Sequence, residues 1–541
     1  MRPTIELLRA QETAQGTRVA VPGSRRDPFD FARQAVVGSF VLISVTFFYA
    51  AISRSVSDHF WMDEVLAVTA AREPTLSGVW QAIWSGTDFS PPTYHFLLHG
   101  LTNAVGADSR LLWRLPSILS IYGAAVCMYL FHLRSQLSQP AAVLSFSIVL
   151  GFDLFDYAIQ VREYAMLVFG LAAALLLWSE IGDTRSGKSK AFGLWLVLSA
   201  CLCIHFYGFI EVAAVGAAEL IYSIGRKRIR IAVWVALLLT LPIEAALFPL
   251  ARHLAMFNNG DNIALSYYAK PSLDAFFVAT YEVVEGGSTG AAFLLVVLVL
   301  VCAALLGGRV EGRAASAQSV RGGVVGSLKL RIVLIALCLL PPTAFAFSVF
   351  VTKSFSARYM AVGALIPAIA VPWVLDMLPW RRATTVAIVP LVAAMLVLRA
   401  QAPHPIAQAM AVLTKAAPPL PIIVGEGLLY IELMEAVDPG TRAKLVYLTR
   451  PAGAISPDPT NENEVIRLAG LNPEYRVRDE AAFLATHERF YVLSRPHMST
   501  DTTTPSLVAK GLLKNPLDAE HGVLLFLSSA PAQAPQGGGR Q

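Results

Sequence analysis

The chain has 541 residues, of which 55% are hydrophobic and only 15% carry a charged side chain, and its formal net charge is +5. A soluble domain has roughly 45–50% apolar and about 25% charged residues. The composition therefore excludes an ordinary soluble protein and predicts an integral membrane protein.

The N-terminal 33 residues are polar and arginine-rich, and they lack the short apolar core and cleavage site of a secretory signal peptide. We predict that residues 1–33 are a cytoplasmic tail, followed by a signal anchor. A spanning helix needs about 20 mostly apolar residues. This criterion predicts an α-helical polytopic membrane protein with about eleven transmembrane helices, near residues 34–53, 111–131, 140–157, 165–181, 191–207, 208–224, 230–250, 288–307, 331–351, 359–378 and 383–400.

The stretch PPTYHFLLHGLTNAV, residues 91–105, is too short and too polar to span comfortably. We predict that it forms a helix lying at the membrane interface. With this segment outside the bilayer, the basic connections, such as GRKRIR at 225–230, fall on the same side as the N-terminus. Since positively charged loops stay in the cytoplasm, the predicted topology has the N-terminus inside and the C-terminus outside.

The composition changes beyond about residue 403. Short β-type runs, PLPIIVGEG, KLVYLTR, RFYVLSR and GVLLFLSS, alternate with helix-like polar stretches such as NENEVIRLAGL and DEAAFLATH. We predict a soluble external α/β domain over residues 403–530 and a disordered tail over 531–541. Residues 34–402 then form the transmembrane module, with a first external loop at 54–109.

Several functions are disfavoured by what the sequence lacks. It has no phosphate-binding glycine loop in a strand–helix setting, so an ATP-driven pump is not expected. Its five cysteines lie in apolar runs without metal-ligand spacing, which is typical of small apolar side chains. Nothing points to nucleic acid as a partner.

Ionisable and aromatic residues gather in the predicted external loops. Ionisable groups at a membrane edge cost free energy unless water solvates them or the protein uses them in its function. We therefore interpret this cluster as a candidate functional site. The first loop opens with FWMDEVLAV, in which two carboxylates are adjacent. The residues that we select are Asp63, Glu64 and His95 in the first loop, Gln160, Arg162, Glu163 and Tyr164 in the second, His205 in the third, and Lys353, Arg358 and Tyr359 in the fifth.

This combination suits a substrate that carries a phosphate on a long lipid. Arg162, Lys353 and Arg358 can pair with the phosphate, and the planar fork of arginine fits it especially well. The carboxylates can accept a proton from an attacking hydroxyl. Nucleotide sugars are absent outside the cytoplasm, so a sugar donor there would be carried by a lipid.

Six motifs appear in chain order on this topology: WMDE, SPPTYHFLLHGL, RLPSIL, QVREYA, HFYG and FSARYMAVGALIP. Together they resemble the GT-C glycosyltransferases, specifically the bacterial relatives of dolichyl-phosphate-mannose protein mannosyltransferases and the lipid A aminoarabinose transferases. The resemblance covers roughly residues 34–400. It implies a multi-span fold with two interfacial helices in the first external loop. It also implies sugar transfer from a polyprenyl-phosphate donor to a lipid, polysaccharide or protein acceptor, usually with inversion.

The resemblance implies roles for single residues. The acid of the first external loop, here Asp63, would be the general base, and Glu64 would orient the acceptor or tune its neighbour. The residues expected to contact donor or acceptor are Tyr164, His95, His205, Tyr359, Gln160 and Glu163. Relatives often carry an acid where this chain has Gln160, so either Glu163 or Asp156 compensates or the role is absent.

Some relatives hold a divalent metal near the site. The candidate ligands here would be His95, His99, Glu64 and His205, and their spacing leaves metal dependence open.

Structural interpretations stand beside these functional ones. Asp63 and Glu64 can cap or solvate the start of an interfacial helix, and aromatic–arginine pairs can anchor helix ends at the interface. At the level of the whole chain, the alternatives are a translocator of lipid-linked sugars and a scaffold that carries the C-terminal domain. A transporter is expected to show inverted repeats and broken helices near the midplane, whereas the polar residues here gather at one face.

Overall fold

A computed structural model describes residues 28–106, 108–151, 154–182, 185–262, 269–285, 317–377, 381–401, 405–415, 420–449, 460–495, 500–520 and 522–528. The predicted span at 288–307, most of the predicted N-terminal tail and the predicted tail at 531–541 lie outside these residues.

The first half of the chain is helical. A long helix, α1 (Pro28–Ser57), is followed by three short helices of the first predicted loop: α2 (Met62–Ala71), α3 (Leu76–Trp84) and α4 (Thr93–Val105). The bundle continues with α5 (Arg110–Arg134), α6 (Gln139–Gly151), α7 (Leu154–Ala158), α8 (Tyr164–Glu180), α9 (Arg185–Ile204), a 3-10 turn (Phe206–Gly208), α10 (Phe209–Arg226), α11 (Ile231–Leu238) and α12 (Leu241–Asn262).

The second half of the membrane module contains further helices on either side of the undescribed stretch. They are α13 (Leu273–Glu285), α14 (Ala317–Cys338), α15 (Leu340–Phe347), a π-helical turn (Ser348–Thr352), a 3-10 segment (Ala357–Ala364), α16 (Leu365–Asp376) and α17 (Arg381–Ala400).

Ten of the eleven predicted spans coincide with helices. Within the described residues, seven helical stretches are long and apolar enough to cross a membrane: Gln34–Ser57, Arg110–Arg134, Gly187–Ile204, Phe206–Arg226, Ile231–Phe257, Leu328–Thr352 and Ala357–Asp376. The other three, Gln139–Gly151, Tyr164–Glu180 and Ala387–Ala400, are apolar helices of 10–17 residues. The chain is thus a multi-pass membrane protein.

Helix α4 explains why the segment 91–105 is not a span. It has 13 residues, which at 1.5 Å each gives about 20 Å, less than the ~30 Å hydrocarbon core. It ends at Gly106, whose φ of +66° lies in the left-handed region that glycine adopts without strain. Helix α5 then begins at Arg110 and is capped by Ser109, whose side chain accepts a hydrogen bond from the Leu112 N–H.

A six-stranded sheet forms the core of the C-terminal part. Its strands are β1 (Ile422–Val424), β2 (Leu445–Thr449), β3 (Val477–Asp479), β4 (Tyr491–Ser494), β5 (Asp518–Glu520) and β6 (Val523–Leu527). The sheet order is β3-β2-β1-β4-β6-β5, with β1 to β4 parallel and the last two pairings antiparallel. Four strands lie on the four predicted runs, whereas β3 (VRD) and β5 (DAE) are mostly charged and lack the apolar run that predicts a strand.

Helices flank this sheet: α18 (Pro405–Leu413), α19 (Gly427–Ala436), α20 (Pro439–Arg442), α21 (Thr460–Leu471), α22 (Glu480–Thr486) and α23 (Thr503–Ala509). One sheet face packs an apolar core that includes Leu429 and Leu433 of α19 and also Val65 and Leu66 of α2. The C-terminal domain and the first loop therefore share one apolar core, which fixes α2 between the domain and the bundle.

Candidate active site

Helix α2 sets the directions of Asp63 and Glu64. Both acids lie in its first turn, where the helix dipole favours negative charge. The Trp61 N–H, just before the helix, donates to Glu64 Oε2 at 3.1 Å. Successive residues of a helix differ by about 100° in direction, so the two neighbouring carboxylates meet different partners.

Glu64 is committed to a buried network. Arg114 donates through Nε and Nη2 to its two carboxylate oxygens, each at 2.9 Å, and the Val161 N–H donates to Oε1 at 2.7 Å. Arg114 also donates to the backbone carbonyls of Ser55, Asp58 and His59. Both oxygens of Glu64 thus tie the first loop to α5 and to the segment before α8.

Asp63 faces another element. Its carboxylate forms an ion pair with Arg358, at the start of the 3-10 segment and 295 residues away in the chain. The Arg358 guanidinium also lies 5.7 Å from the ring centre of Tyr359. Asp63 is 6% exposed, so this pair lies at the edge of a nearly closed site.

Asp88 is the centre of a second ionic group. Its Oδ2 lies 2.8 Å from Arg162 Nη1 and 3.1 Å from His95 Nε2, and its Oδ1 accepts the Phe89 N–H at 2.7 Å. Burial raises the pKa of Asp88, but the charge of Arg162 and the hydrogen bond with His95 outweigh it and hold this pKa well below its usual range. Arg162 Nη1 also donates to the backbone carbonyl of Asp63 at 3.3 Å, which joins the two groups.

Glu163 and His205 extend this group. Arg162 Nη2 lies 3.2 Å from Glu163 Oε1, and burial raises the pKa of that carboxyl against the opposing charge of Arg162. The ring of His205 is neutral, because a nitrogen that accepts a hydrogen bond carries no proton. Its Nδ1 accepts the Tyr207 N–H at 2.9 Å, so Nε2 carries the proton and faces Glu163 Oε1 at 3.5 Å.

Aromatic rings line the site beside these charges. Tyr207 and Tyr359 stack with ring centres 4.6 Å apart and planes 13° apart. The His205 ring lies 5.5 Å from Tyr164 and 6.2 Å from Tyr359. The Arg162 guanidinium lies 5.7 Å from the Tyr164 ring. This wall gives the site apolar surface next to its cations.

Several buried polar atoms here have no hydrogen-bond partner among the described residues: Ser90 Oγ, His95 Nδ1, Arg162 Nε and Glu163 Oε2. Buried polar groups are almost always paired, so such a concentration indicates atoms that meet water or a ligand. Asp88 and Arg114 are not among the site residues selected from the sequence, although Arg114 opens the RLPSIL motif. The position of Asp88 ahead of Pro91-Pro92 gives no signal that it faces Arg162.

The structure brings most of the selected residues together. Asp63, Arg358, Tyr359, Arg162, Glu163, Tyr164, His95 and His205 form one connected set, with Glu64 at its border. Lys353 stands apart: it is exposed and its Nζ donates to the carbonyl of Val349 at 2.5 Å. Gln160 is half-buried, and no side-chain hydrogen bond joins it to the described members of the set.

The candidate metal ligands do not converge. Glu64 is held by Arg114, and both ring nitrogens of His99 have protein partners, the Ala71 carbonyl at 3.1 Å and the Asn103 amide at 2.9 Å. Among the residues that the structure describes, no group of three or more His, Cys, Asp and Glu side chains could hold a metal ion.

Solved structures of other proteins share the fold of this chain. No protein-family model and no curated protein matches the sequence. The crystal structure of ArnT from Cupriavidus metallidurans in the apo state is similar, with a TM-score of 0.55, 13% identity, and coverage of 93% of this chain and all of that chain. The structure of the same protein bound to undecaprenyl phosphate matches with a TM-score of 0.51 and 14% identity, covering 93% of this chain and 99% of that chain. The chain therefore shares the fold of ArnT, and the predicted fold class, a multi-span helical membrane module with a C-terminal α/β domain, is confirmed.

Proposed function

We propose that this chain is a membrane glycosyltransferase that moves a sugar from a polyprenyl-phosphate donor to an acceptor hydroxyl at the external face. The observation that carries the proposal is the connected set around Asp63, Arg358 and Arg162, in which a carboxylate, two guanidinium groups and an aromatic wall meet. The fold supports it, since ArnT of Cupriavidus metallidurans holds undecaprenyl phosphate on the same fold.

Arg358 and Arg162 would bind the donor phosphate. Each now pairs with a carboxylate, Asp63 and Asp88 respectively. A phosphate, like a carboxylate, offers two charged oxygens that a guanidinium can bind in two-point fashion. When the phosphate takes over Arg358, Asp63 loses its ion-pair partner and becomes a stronger proton acceptor. Donor binding would thus prepare the base. Lys353, which lies apart from the set, is a remote candidate for the same phosphate.

Asp63 would be the general base. The acceptor hydroxyl attacks the anomeric carbon of the donor, its proton passes to the Asp63 carboxylate, and the bond from that carbon to the phosphate oxygen breaks. The polyprenyl phosphate leaves with the bonding electrons, held by the two arginines. Attack opposite to the leaving group gives inversion of the anomeric centre.

Glu64 would be a positioning residue rather than a second base. Its two oxygens accept hydrogen bonds from Arg114 and from two backbone N–H groups, so it fixes the turn from which Asp63 projects. Neutral His205, with Tyr164 and Tyr359, would form the wall against which the donor lies. Glu163 and His95 would offer their unpartnered atoms to sugar hydroxyls. Gln160 would make at most a peripheral contact.

The predicted topology assigns the face. Asp63, Arg162 and Arg358 lie at one end of the bundle, and the basic connections at 132–136 and 225–230 lie at the other. The positive-inside rule then gives a plasma or inner membrane protein with this site and the C-terminal domain outside the cytoplasm. The acceptor would be a lipid, polysaccharide or protein available there.

The test is sugar transfer by the full chain in nanodiscs, with a panel of undecaprenyl-phosphate sugars and a mixed set of envelope acceptors. We expect Asp63→Asn to lower the rate by roughly 100- to 10,000-fold, the range that a general base contributes. Asp274→Asn, an exposed acid at the start of α13, is the matched control and keeps the rate. Full activity of Asp63→Asn would contradict the assignment of the base. A wild type that moves lipid-linked sugar across vesicles without transferring it would instead favour a translocator.

A further inference from the structure

The C-terminal domain contacts the helix that carries Asp63. Helix α19 packs along α2, where Leu429 and Leu433 join the apolar core that contains Val65 and Leu66. Glu435, on the same helix as Leu433, forms an ion pair with Arg72 at the C-terminal end of α2 at 3.1 Å. One element of the domain therefore covers the length of α2.

Glu432 of α19 reaches the other end of α2. Its carboxylate faces the backbone N–H of Met62, the first residue of α2 and the neighbour of Asp63, and this N–H favours the charged carboxylate. The initial N–H groups of a helix have no partner within the helix, and a negative charge there is favoured by the helix dipole. Arg495, which directly follows β4, approaches Glu432 at 3.5 Å and holds it in place. Glu432 thus lies against the turn from which Asp63 projects.

The position of this contact in the sheet is informative. The parallel strands lie in the order β3-β2-β1-β4. From β1 the chain adds β2 and β3 on one side of the sheet and then adds β4 on the other side of β1, so the strand order switches between β1 and β4. Ligands of doubly wound domains bind at such a point, beyond the carboxyl ends of the strands. Here the same point carries Glu426 after β1 and Arg495 after β4, which contact each other at 3.4 Å. The position that holds a ligand in other domains lies beside the start of α2.

A second helix of the domain braces the segment that carries Asp88. Arg467 of α21 donates to the carbonyl of Gly86 at 3.5 Å, and its guanidinium lies 5.4 Å from the Phe89 ring. Gly86 has a φ of +83°, so the chain turns sharply there. The Phe89 N–H in turn donates to Asp88. Arg467 therefore contacts both sides of the acid that holds Arg162.

We propose that the C-terminal domain completes the active site by positioning both acid-bearing segments of the first loop, with Glu432 and Arg467 as the positioning residues. Glu432 sets the Asp63 turn and Arg467 sets the Asp88 turn. Neither touches the reacting atoms. This inference rests on the proposed transferase function.

The pH dependence of the rate gives a readout that simple loss of folding would not produce. Burial raises the pKa of Glu432 to about 7, Arg495 opposes this, and Glu426 adds to it. Its ionised form interacts more favourably with the Met62 N–H that it faces. The wild-type rate therefore rises as pH increases through about 7, and Glu432→Gln lacks this rise while keeping the size of the side chain.

The experiment compares Glu432→Ala and Arg467→Ala in the full chain with Glu474→Ala and Arg442→Ala. The control residues form an ion pair within the same domain, at 3.0 Å, in which Glu474 is exposed and Arg442 is half-buried. We expect kcat to fall roughly 10- to 100-fold in the first two, as when reacting groups are misplaced by about 1 Å, and to stay within about twofold in the controls. Arg467→Lys keeps a cation and should recover part of the rate. Wild-type kcat in both Glu432→Ala and Arg467→Ala would overturn the proposal.

Amide hydrogen exchange separates this inference from the transferase proposal. Peptides covering residues 58–68 and 84–92 are followed by mass spectrometry in the same nanodiscs. Faster exchange of the first peptide in Glu432→Ala, and of the second in Arg467→Ala, is expected while the rest of the chain is unchanged. Unchanged exchange in both peptides would overturn the positioning role. If the wild type transferred no sugar but the exchange effects appeared, the function would be wrong and the positioning contact would stand.

Discussion

The two ends of the helical bundle each bury an arginine–carboxylate network, and the networks differ in how completely they are satisfied. Helices α5 and α8 run from one end to the other. Where α8 ends, Arg230 contacts Glu219, and Glu219 also accepts the Trp178 indole N–H at 2.9 Å and the Ser223 hydroxyl at 3.2 Å. Arg230 donates to the carbonyls of Trp178 and Ile181 as well. Its guanidinium lies 4.2 Å from the Tyr222 ring.

At the opposite end, Arg162 contacts two carboxylates, yet Glu163 Oε2 and His95 Nδ1 stay without partners among the described residues. A satisfied buried network holds helices together, whereas an incompletely satisfied one costs free energy and persists where a ligand completes it. The comparison teaches that burial and ion pairing alone do not identify a functional site. What distinguishes these two networks is the presence of unmatched polar atoms beside Arg162.

The largest expected effect on stability is at the satisfied end. Glu219→Ala leaves Arg230 buried without its carboxylate, and breaking a buried pair in this way costs about 3–5 kcal/mol. We expect a large fall in the thermal unfolding midpoint in detergent, with the sugar-transfer rate per folded molecule unchanged. If the sugar-transfer rate of the molecules that remain folded also fell, this end of the bundle would affect the candidate active site as well.

Asp88→Asn should have the next largest effect, and we expect this effect on activity rather than on stability. Arg162 would lose its closest carboxylate and shift, so we expect kcat/KM to fall roughly 100-fold, the cost of a misplaced group. Steady-state transfer assays with a varied donor measure it, with Asp274→Asn as control. An unchanged donor KM with a full kcat would show that Asp88 does not position Arg162.

Glu163→Gln tests the cost of the unsatisfied end. Burial raises the pKa of Glu163, so the folded state favours the protonated form and this group stabilises the fold below its ordinary pKa of 4.5. That stabilisation is lost as the pH rises through the higher folded-state pKa. Glutamine resembles the protonated form, so the variant should unfold at a higher temperature than wild type at pH 8, and the difference should shrink toward pH 4. A lower midpoint at pH 8 would show that Glu163 is better accommodated charged.

The smallest effect is expected at an exposed pair of the satisfied end. Arg134 contacts Glu180 at 2.9 Å, but 67% of its side chain is exposed. Surface pairs contribute about 0–1 kcal/mol, so Arg134→Ala should shift the unfolding midpoint slightly and the rate not at all. A loss similar to that of Glu219→Ala would mean that burial does not separate the two pairs.

The sequence predicts the helices better than the site, for a physical reason. Apolar runs and turn residues act locally, so ten spans and four strands fall where their residues indicate. Pairings between distant segments carry no local signal: nothing near Asp63 points to Arg358. Adjacent acids also look alike in sequence. Only the helix, by turning Glu64 toward Arg114 and Asp63 toward Arg358, separates the positioning residue from the proposed base.

The shared core between α2 and α19 has a consequence for the order of synthesis. Leu429 follows Leu66 by roughly 360 residues. At a synthesis rate of about 5–20 residues per second, the apolar face of α2 therefore stays uncovered for roughly 20–70 s. During that time α5 has already emerged and Arg114 is available to Glu64, which would hold α2 on the bundle. The nascent chain therefore presents Val65 and Leu66 to the lipid headgroups or to a chaperone until the domain arrives. If translation stalled in that interval, the exposed apolar face of α2 would be the first surface through which nascent chains aggregate.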